Sequence, residues 1–443
     1  MSQPDGGGRE AEQPSPDAYL DSLEPIGWRL GLERMHALGA LLGMPQHRFS
    51  SIHVVGTNGK SSVTRMTAAL LEAHGLRTGA CVSPHAERWS ERVLVRGEEI
   101  GAAEFAAAVE RAAQAAEALN RKLPEGELVT QFELATAATF VALAAARVEV
   151  AVVEAGLGGR LDATNTMPSR VTVLTSVGLD HTEWLGESEE EIAAEKLAVL
   201  RDHSVLVRGW VSPAVAPLAE EVATERGARL VVAPEDPGAG VVLRSPGRYQ
   251  RRNFAVACAA AEAFLGRALD QTAIEATAAG VSIPGRLERI ADHPPVFLDA
   301  AHNPDGATAL AEALSELPLD CVRTLSGLGR QSANAPAVVA VLAVLAEKDL
   351  EGIVRALAPA VDRAVCTELP VSRPSHPAVE LAAACEAAGI AAEGEPNFAA
   401  AVERGRALAV ELGGILVVAG SHYALAPARA AMRGFAHGPQ RRI

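Results

Sequence analysis

Short runs of β-branched residues alternate with longer helix-patterned segments along most of this chain, and that alternation limits its fold more than any other feature. "SIHVVG", "VEVAVVEAG", "RVTVLTSVG", "HSVLVRG", "ARLVVAP", "PPVFLDAAH", "RAVCTEL" and "GILVVAGS" each read as a strand. Between them lie stretches such as "AAEFAAAVERAAQAAEALN" and "FELATAATFVALAAARV", apolar at helical spacing. The expectation is an α/β fold of mostly parallel sheets with helices on both faces. In such sheets ligands gather where strands end and helices begin.

At 443 residues the chain is too long for one ordinary core, which argues for two domains. The stretch "SIPGRLERIADHPP", residues 282–295, breaks a helical run before the fresh strand "VFLDAAHN". It sets an expected boundary, with one domain at 17–288 and a smaller α/β domain at 289–443. Residues 1–16 read as a disordered leader. The Ala- and Val-rich "SGLGRQSANAPAVVAVLAVLAEKD" gives no clear start for an element, and no internal repeat is evident.

Hydrophobic residues make up 49% of the chain, enough to bury these cores without covalent staples. Lys and Arg total 40 against 55 Asp and Glu, a formal charge of -15, which argues against a general nucleic-acid or anionic-membrane binder. A local basic cleft stays compatible with that sum. Five scattered cysteines without a CxxC pair argue against a disulfide framework or zinc site. The start lacks a signal-peptide profile, and no apolar run reaches the roughly 18 residues that span a bilayer. A soluble, cytoplasmic protein is expected.

The chemistry concentrates at strand ends. In "IHVVGTNGKSSVTRM" a strand runs into a glycine turn and then an amphipathic helix ending near Gly75. Only Thr57 and Asn58 separate Gly56 from Gly59-Lys60, shorter than the common phosphate loop with four intervening residues. The arrangement still aims backbone N–H groups at an anion, with Lys60 as a point charge and the Ser61 hydroxyl as a magnesium ligand. The alternative is a structural turn with a solvated lysine. "GLGGRL" is not a dinucleotide fingerprint, because its third glycine falls at Leu161. "LDAAHNPDG" has the wrong Asp spacing for a calcium loop.

Glu154 closes the apolar strand "VEVAVV", where an isolated carboxylate is costly. His181 follows another strand, in "SVGLDHTEWLG". With Ser61 and Ser83 these residues make a candidate Mg²⁺ set, although magnesium favours oxygen over histidine. Each also fits a hydrogen-bonded core residue. Lys196, in "EEEIAAEKLAVL", reads equally as a functional lysine or as the partner in a surface i,i+4 ion pair.

The short loop, together with the blocks on either side of it, closely resembles the bacterial folylpolyglutamate synthase/dihydrofolate synthase family of the Mur ligase superfamily. The likeness runs from about Asp17 to Pro427, through "GLERMHALGALLGMPQ", "HVVGTNGKSSV", "SPHAERWSERVLVRGEEI", "TQFELATAATF", "VVEAGLGGRLDATN", "TSVGLDHTEWLGESEEEIAAEK", "RYQRRNFAVA", "PGRLERI", "FLDAAHNPDG", "AEKD" and "VVAGSHYA". It implies a P-loop ATPase-like N-terminal domain and a smaller Rossmann-like C-terminal domain acting as glutamate ligase. Gly56, Thr57, Asn58, Gly59, Lys60, Ser61 and Ser62 would hold the ATP phosphates. Asn253, Arg286 and Asp299, with His302 close by, match ATP-contacting positions. Ser83, Glu154 and His181 match magnesium-binding positions. Thr130, Gln131, Phe132 and Glu133, then Leu161, Asp162 and Ala163, align with the pterin-substrate site. Lys196 matches a lysine that carries a carbamate. Lys60, Lys196 and His181 are the implied catalytic positions.

Three positions depart from the family pattern. The loop reads "GKSS" for the usual "GKGS", "EKLAVL" replaces "EKAGI", and Ala86 stands where a larger apolar residue is usual. The implied reaction joins L-glutamate to dihydropteroate and to reduced folates through an acyl phosphate, with ATP and Mg²⁺. Similar proteins are commonly monomers. The rival readings are a cell-wall Mur peptide ligase, a P-loop kinase and a catalytically silent nucleotide binder.

Overall fold

The computed structural model describes residues 15–23, 31–317 and 336–436. Nearly all of the expected leader, Cys321 and the first part of the Ala- and Val-rich segment fall outside the described residues. The rest forms two sheets. The first contains β1 (Ser50–Val55), β2 (Thr78–Cys81), β3 (Val93–Val95), β4 (Glu98–Glu99), β5 (Val150–Glu154), β6 (Ser169–Leu174), β7 (Val205–Arg208) and β8 (Arg229–Val232). Their order is β4-β3-β2-β5-β1-β6-β7-β8, parallel except where β3 meets β2 and β4.

The second sheet contains β9 (Glu288–Asp292), β10 (Pro295–Leu298), β11 (Val338–Leu342), β12 (Arg363–Cys366), β13 (Ala391–Gly394) and β14 (Ile415–Ala419). Its order is β13-β12-β11-β14-β10-β9, with β9 antiparallel to β10 and the other pairs parallel. This is the expected two-domain α/β architecture with mostly parallel sheets.

All eight runs read from the sequence are strands. Burial on both faces explains why they were legible. In β5, Ala151 and Val153 join the core formed with helices Ala102–Asn120 and Gln131–Ala145, while Val150 and Val152 join the one with helices Lys60–Ala73 and Arg248–Leu265. A strand covered on both sides must be apolar at consecutive positions. In β11, Ala340 and Leu342 face one core of the second sheet and Val339 and Val341 the other. That strand lies in the segment whose start the sequence did not locate. The remaining unread strands are short, and several are small-residue or charged, such as "TGAC" of β2 and the two glutamates of the edge strand β4.

Among the described residues the four cysteines are free, with the Cys366 and Cys385 sulfurs 3.7 Å apart. No helix of the described residues is long and apolar enough to cross a membrane.

The topology decides where chemistry can sit. β1 lies between β5 and β6, so the glycine loop, Glu154 and "TSVGLDH" emerge side by side from three neighbouring C-terminal ends. In the second sheet β10, β14 and β11 are likewise adjacent, and their C-terminal ends carry "DAAHN", "GSHY" and "AEKD". Side chains from these two sets of ends meet across a cleft.

Candidate active site

The loop is rigid because its neighbour strand holds it. Gly59 has φ +84°, and a Cβ there would fall 2.5 Å from Asn253 Oδ1, so only glycine lets the helix Arg248–Leu265 approach this closely. The Thr57 amide donates to Ser176 O at 2.8 Å, the Asn58 amide to Ser176 Oγ at 3.0 Å, and Thr175 Oγ1 to Asn58 O at 2.6 Å. Gly59 starts the helix Lys60–Ala73 without any side-chain cap, which leaves the first-turn amides for a ligand. Lys60 Nζ donates to Gly56 O at 2.9 Å and Thr57 O at 3.0 Å. It is therefore no freely solvated lysine. Burial lowers its pKa, against the opposing charges of Glu154 and Asp180.

Glu154 is 2% exposed, and the first turn after the loop and the segment after β2 supply its partners. Ser61 Oγ donates to one carboxylate oxygen at 2.9 Å, and the Ser83 amide to the other at 3.0 Å. Burial raises the Glu154 pKa, while the Lys60 charge and these two donors pull it down. Ser61, Ser83 and Glu154 thus converge. His181 lines the same cavity in a left-handed conformation, φ +52°, with its ring near Asp180 and Glu183. Among the described residues no group of three His, Cys, Asp or Glu forms a metal cluster, so a cation here would depend on hydroxyl oxygens as well as Glu154. The extra hydroxyl of "GKSS" at Ser61 turns to Glu154, whereas Ser62 Oγ is buried without a partner.

From the second sheet, Lys348 Nζ reaches Asp180 Oδ1 at 2.7 Å, both side chains about 10% exposed. Asn303 Nδ2 donates to Asp180 Oδ2 at 3.2 Å and His302 Nε2 lies 3.6 Å from it. Burial alone would raise the Asp180 carboxyl. The His302 ring beside it and the charges of His181 and Lys348 override burial and hold it well below the usual carboxylate range.

Lys196 is 3% exposed on the helix Glu189–Leu197. The surface ion-pair alternative fails, because Lys196 is buried and the residues four positions away, Ile192 and Leu200, are apolar. Burial, helped by the Lys60 charge, lowers its pKa to about 7. Near neutral pH a large share of this amine is unprotonated and nucleophilic.

Two cavities gather these groups. One of about 200 Å³ is lined by Gly56, Thr57, Asn58, Gly59, Lys60, Ser61, Ser83, Glu154, His181, Lys196, Arg286 and His302, with Asp180, Lys348, Arg373 and Tyr423 added. A second, of about 520 Å³, takes in Ser62, Asn253 and Asp299. Asn58, Gly59 and Arg286 border both.

Two family models match the chain: the Mur ligase middle domain over residues 54–208 and the Mur ligase glutamate ligase domain over 285–422. The dihydrofolate synthase/folylpolyglutamate synthase of Mycobacterium tuberculosis is 36% identical over 415 residues, covering 82% of this chain and 81% of that one. The chain belongs to the dihydrofolate synthase/folylpolyglutamate synthase family of Mur ligases. The solved Mycobacterium tuberculosis folylpolyglutamate synthase complexed with ADP superposes with a TM-score of 0.83 at 33% identity, over 95% of this chain and 98% of that one. A bifunctional folylpolyglutamate synthase/dihydrofolate synthase with Mn, AMPPNP and L-glutamate bound gives 0.77 at 29% identity, over 95% and 100%.

The family's pterin positions stand apart from the rest. None of Thr130, Gln131, Phe132, Glu133, Leu161, Asp162 and Ala163 lines either cavity. Thr130 and Glu133 form a capping box, Glu133 pairs with Arg34 at 3.0 Å, and Gln131 donates to Leu20 O. Asp162 accepts from the Leu157 amide at 2.8 Å, and Phe132 packs on Gly156. Both segments therefore brace Gly156 and Leu157, which do line the first cavity. Ala86 packs on the core of the second sheet.

Sequence reasoning did not single out Asp180, Lys348, Arg373 or Tyr423. Three of them lie in quoted blocks, "GLDH", "AEKD" and "GSHY", but the pairing of Asp180 with Lys348 joins positions far apart along the chain. Asp180→Asn leaves the Lys348 ammonium without its counter-charge and is expected to lower stability by about 3 kcal/mol. A folded pKa below the unfolded one means that Asp180 contributes stability at neutral pH, lost as pH falls below the usual carboxylate range. Thermal melting of the two proteins between neutral pH and pH about 3 checks this, with the acid dependence shallower in the variant. Lys60→Ala is expected to reduce turnover by at least about 10³-fold with an unchanged circular dichroism spectrum. Activity close to wild type would overturn the loop assignment.

Proposed function

We propose that this ATP-dependent ligase joins L-glutamate to dihydropteroate and also extends reduced folates, with one site serving both reactions. The observation that carries the reading is a single cleft with a phosphate loop and buried carboxylate on one wall and a cationic wall, Lys348 and Arg373, on the other. The carboxylate of the pterin substrate attacks the γ-phosphoryl group of ATP and releases ADP, leaving an acyl phosphate. The amine of glutamate then attacks the acyl carbon, and phosphate leaves.

The difficulty is that two anions must meet. Loop amides and Lys60 would answer the phosphate charge, and the position of Arg286 on the border of both cavities supports its contact with the nucleotide. Arg373, paired with Glu347 at 3.0 Å, and Lys348, held by Asp180, are the cations on the wall where the two carboxylates of glutamate would lie. Ser61, Ser83, Glu154 and His181 are the residues that would hold Mg²⁺, which supplies neutralising charge on the phosphate oxygens. Because the cleft lies between two sheets joined through Asp180, closing it keeps water from the acyl phosphate. The resemblance supports Phe132 and Leu161 as pterin contacts, and of that neighbourhood Leu157 borders the first cavity. Both walls come from one chain, so we take the working unit to be a monomer. Free cysteines fit a cytoplasmic setting.

ADP release measured with dihydropteroate, tetrahydrofolate and a muramyl nucleotide as acceptors tests the reading. Glutamate-dependent ADP and phosphate are expected with the first two acceptors only. Release with the muramyl nucleotide alone would replace this function with that of a cell-wall ligase, and a phosphorylated product without an amide would make it a kinase.

We further propose that Lys196 carries a carbamate, formed when its uncharged amine adds to the carbon of CO₂, one C=O π pair moving onto oxygen and one amine proton passing to solvent. With its pKa near 7, carbamate formation weakens below neutral pH as the amine gains a proton. Activity is expected to fall on removal of CO₂ at mildly acidic pH and to return with bicarbonate. Enzyme indifferent to bicarbonate under those conditions would exclude the modification.

A further inference from the structure

A buried line of polar groups under the first sheet has no part in the chemistry above. β1 places His53 in register with Val153 of β5, on the face that packs against the helices Ala102–Asn120 and Gln131–Ala145. The residue is 0% exposed there. Its Nε2 lies 2.8 Å from Thr164 Oγ1, which in turn lies 2.5 Å from Asp162 Oδ1. The same carboxylate accepts from the Thr164 amide at 3.0 Å and, through Oδ2, from the Leu157 amide at 2.8 Å. His53 and Thr164 line neither cavity, whereas Leu157 borders the first.

The direction of each bond follows from what the groups can donate. An amide can only donate, so both Asp162 oxygens act as acceptors. Thr164 has one hydroxyl hydrogen, and Asp162 takes it. The hydroxyl oxygen is left as an acceptor, so His53 supplies a hydrogen from Nε2. Burial, helped by the charge of Arg201, lowers the His53 pKa to about 3, so the ring is neutral and its Nδ1 is bare. That nitrogen is buried and meets no partner. A ring with one nitrogen unsatisfied is a costly occupant of an apolar face, and such exceptions gather at functional sites.

The far end of the line is the turn after β5. Glu154 is fixed from the other side, by Ser61 Oγ and the Ser83 amide. Gly156 and Leu157 rest instead on Phe132 and Asp162: a Cβ on Gly156 would fall 2.4 Å from the Phe132 ring, and the Leu157 amide ends on the Asp162 carboxylate. His53 stands three positions before Gly56, so the line joins the strand that carries the phosphate loop to the turn that borders the cavity. We infer that His53 and Thr164 are positioning residues that act through Asp162 to set this turn against the phosphate loop, fixing where the pterin acceptor lies relative to the γ-phosphoryl group. The inference rests on the ligase reading of the site and adds to it two residues that touch no substrate.

The test uses T164V, T164S, H53L and H53Q. Valine has the shape of threonine but relays no hydrogen bond, while serine keeps the hydroxyl and glutamine keeps a side-chain N–H. T164V and H53L are expected to raise KM for dihydropteroate about 10-fold, the loss of one buried hydrogen bond. Their kcat, and their Kd for ADP by titration calorimetry, should stay within about twofold of wild type. T164S and H53Q should recover most of the lost KM. A merely structural role would lower the folded fraction and hence kcat, leaving KM in place. Selective ¹⁵N labelling of histidine reads the line without activity: the resonance that vanishes in H53Q should show the Nε2–H tautomer at neutral pH. Should H53L fail to fold, T164V and the tautomer carry the test. A wild-type KM in T164V overturns the proposal, as does an Nδ1–H tautomer of His53, which would reverse the line. A Kd for ADP that rises as much as KM overturns it too, since the phosphate loop would then have moved with the turn. Wild-type enzyme that keeps the Nε2–H tautomer but turns over no dihydropteroate would overturn the ligase reading and this inference with it.

Discussion

The carboxylate of Asp180 is the point on which the two halves of the molecule agree. It leaves the C-terminal end of β6 and is met by Lys348, Asn303 and His302 from the second sheet. A buried charge is tolerated only when its partners are fixed, so this one carboxylate ties the orientation of the two sheets to the electrostatics of the cleft. Asn58 of the phosphate loop and Asn303 add a second join beside it, with amide groups 3.3 and 3.4 Å apart. Closing the cleft and arranging its charges are therefore one event.

The same geometry explains how the site keeps reactive groups in unusual states. Lys60 and Lys196 line one small cavity with Glu154 and Asp180. Burial lowers the pKa of both ammonium groups and raises that of Glu154, and only Asp180, with three cationic or polar partners, goes strongly the other way. The site is arranged for more negative charge than it contains, and a nucleotide and two carboxylate substrates bring it. This is the physical content of family membership. The fold aims two sets of parallel-strand ends at one place, and the side chains at those ends make that place attractive to anions.

Much of this was legible in the linear sequence. Strands buried on both faces announce themselves by consecutive Val, Ile and Leu, as in "VEVAVV" and "GILVVA". The loop "GTNGKSS" was readable because glycine at position 59 has a steric cause, the approach of Asn253. Other elements were silent for equally physical reasons. β4 consists of two exposed glutamates, and β11 lies among so many Ala and Val residues that no boundary stands out. The segments that the resemblance assigns to the pterin have their polar groups engaged within the fold, Thr130 and Glu133 in a helix cap, Gln131 on Leu20 and Asp162 on the Leu157 amide.

What the sequence settled by itself was local: which apolar runs are buried strands, where a helix begins on glycine, and that Glu154 sits at the end of an apolar strand. Short-range sterics and hydrophobic periodicity act between neighbours, so they are written in neighbouring letters. The tertiary structure alone decided that Lys196 is buried with a depressed pKa instead of paired on the surface, and that Asp180 meets Lys348, 168 positions away. Desolvation and charge pairing depend on what surrounds a group in space. Those surroundings come from both sheets and exist only once the chain has folded.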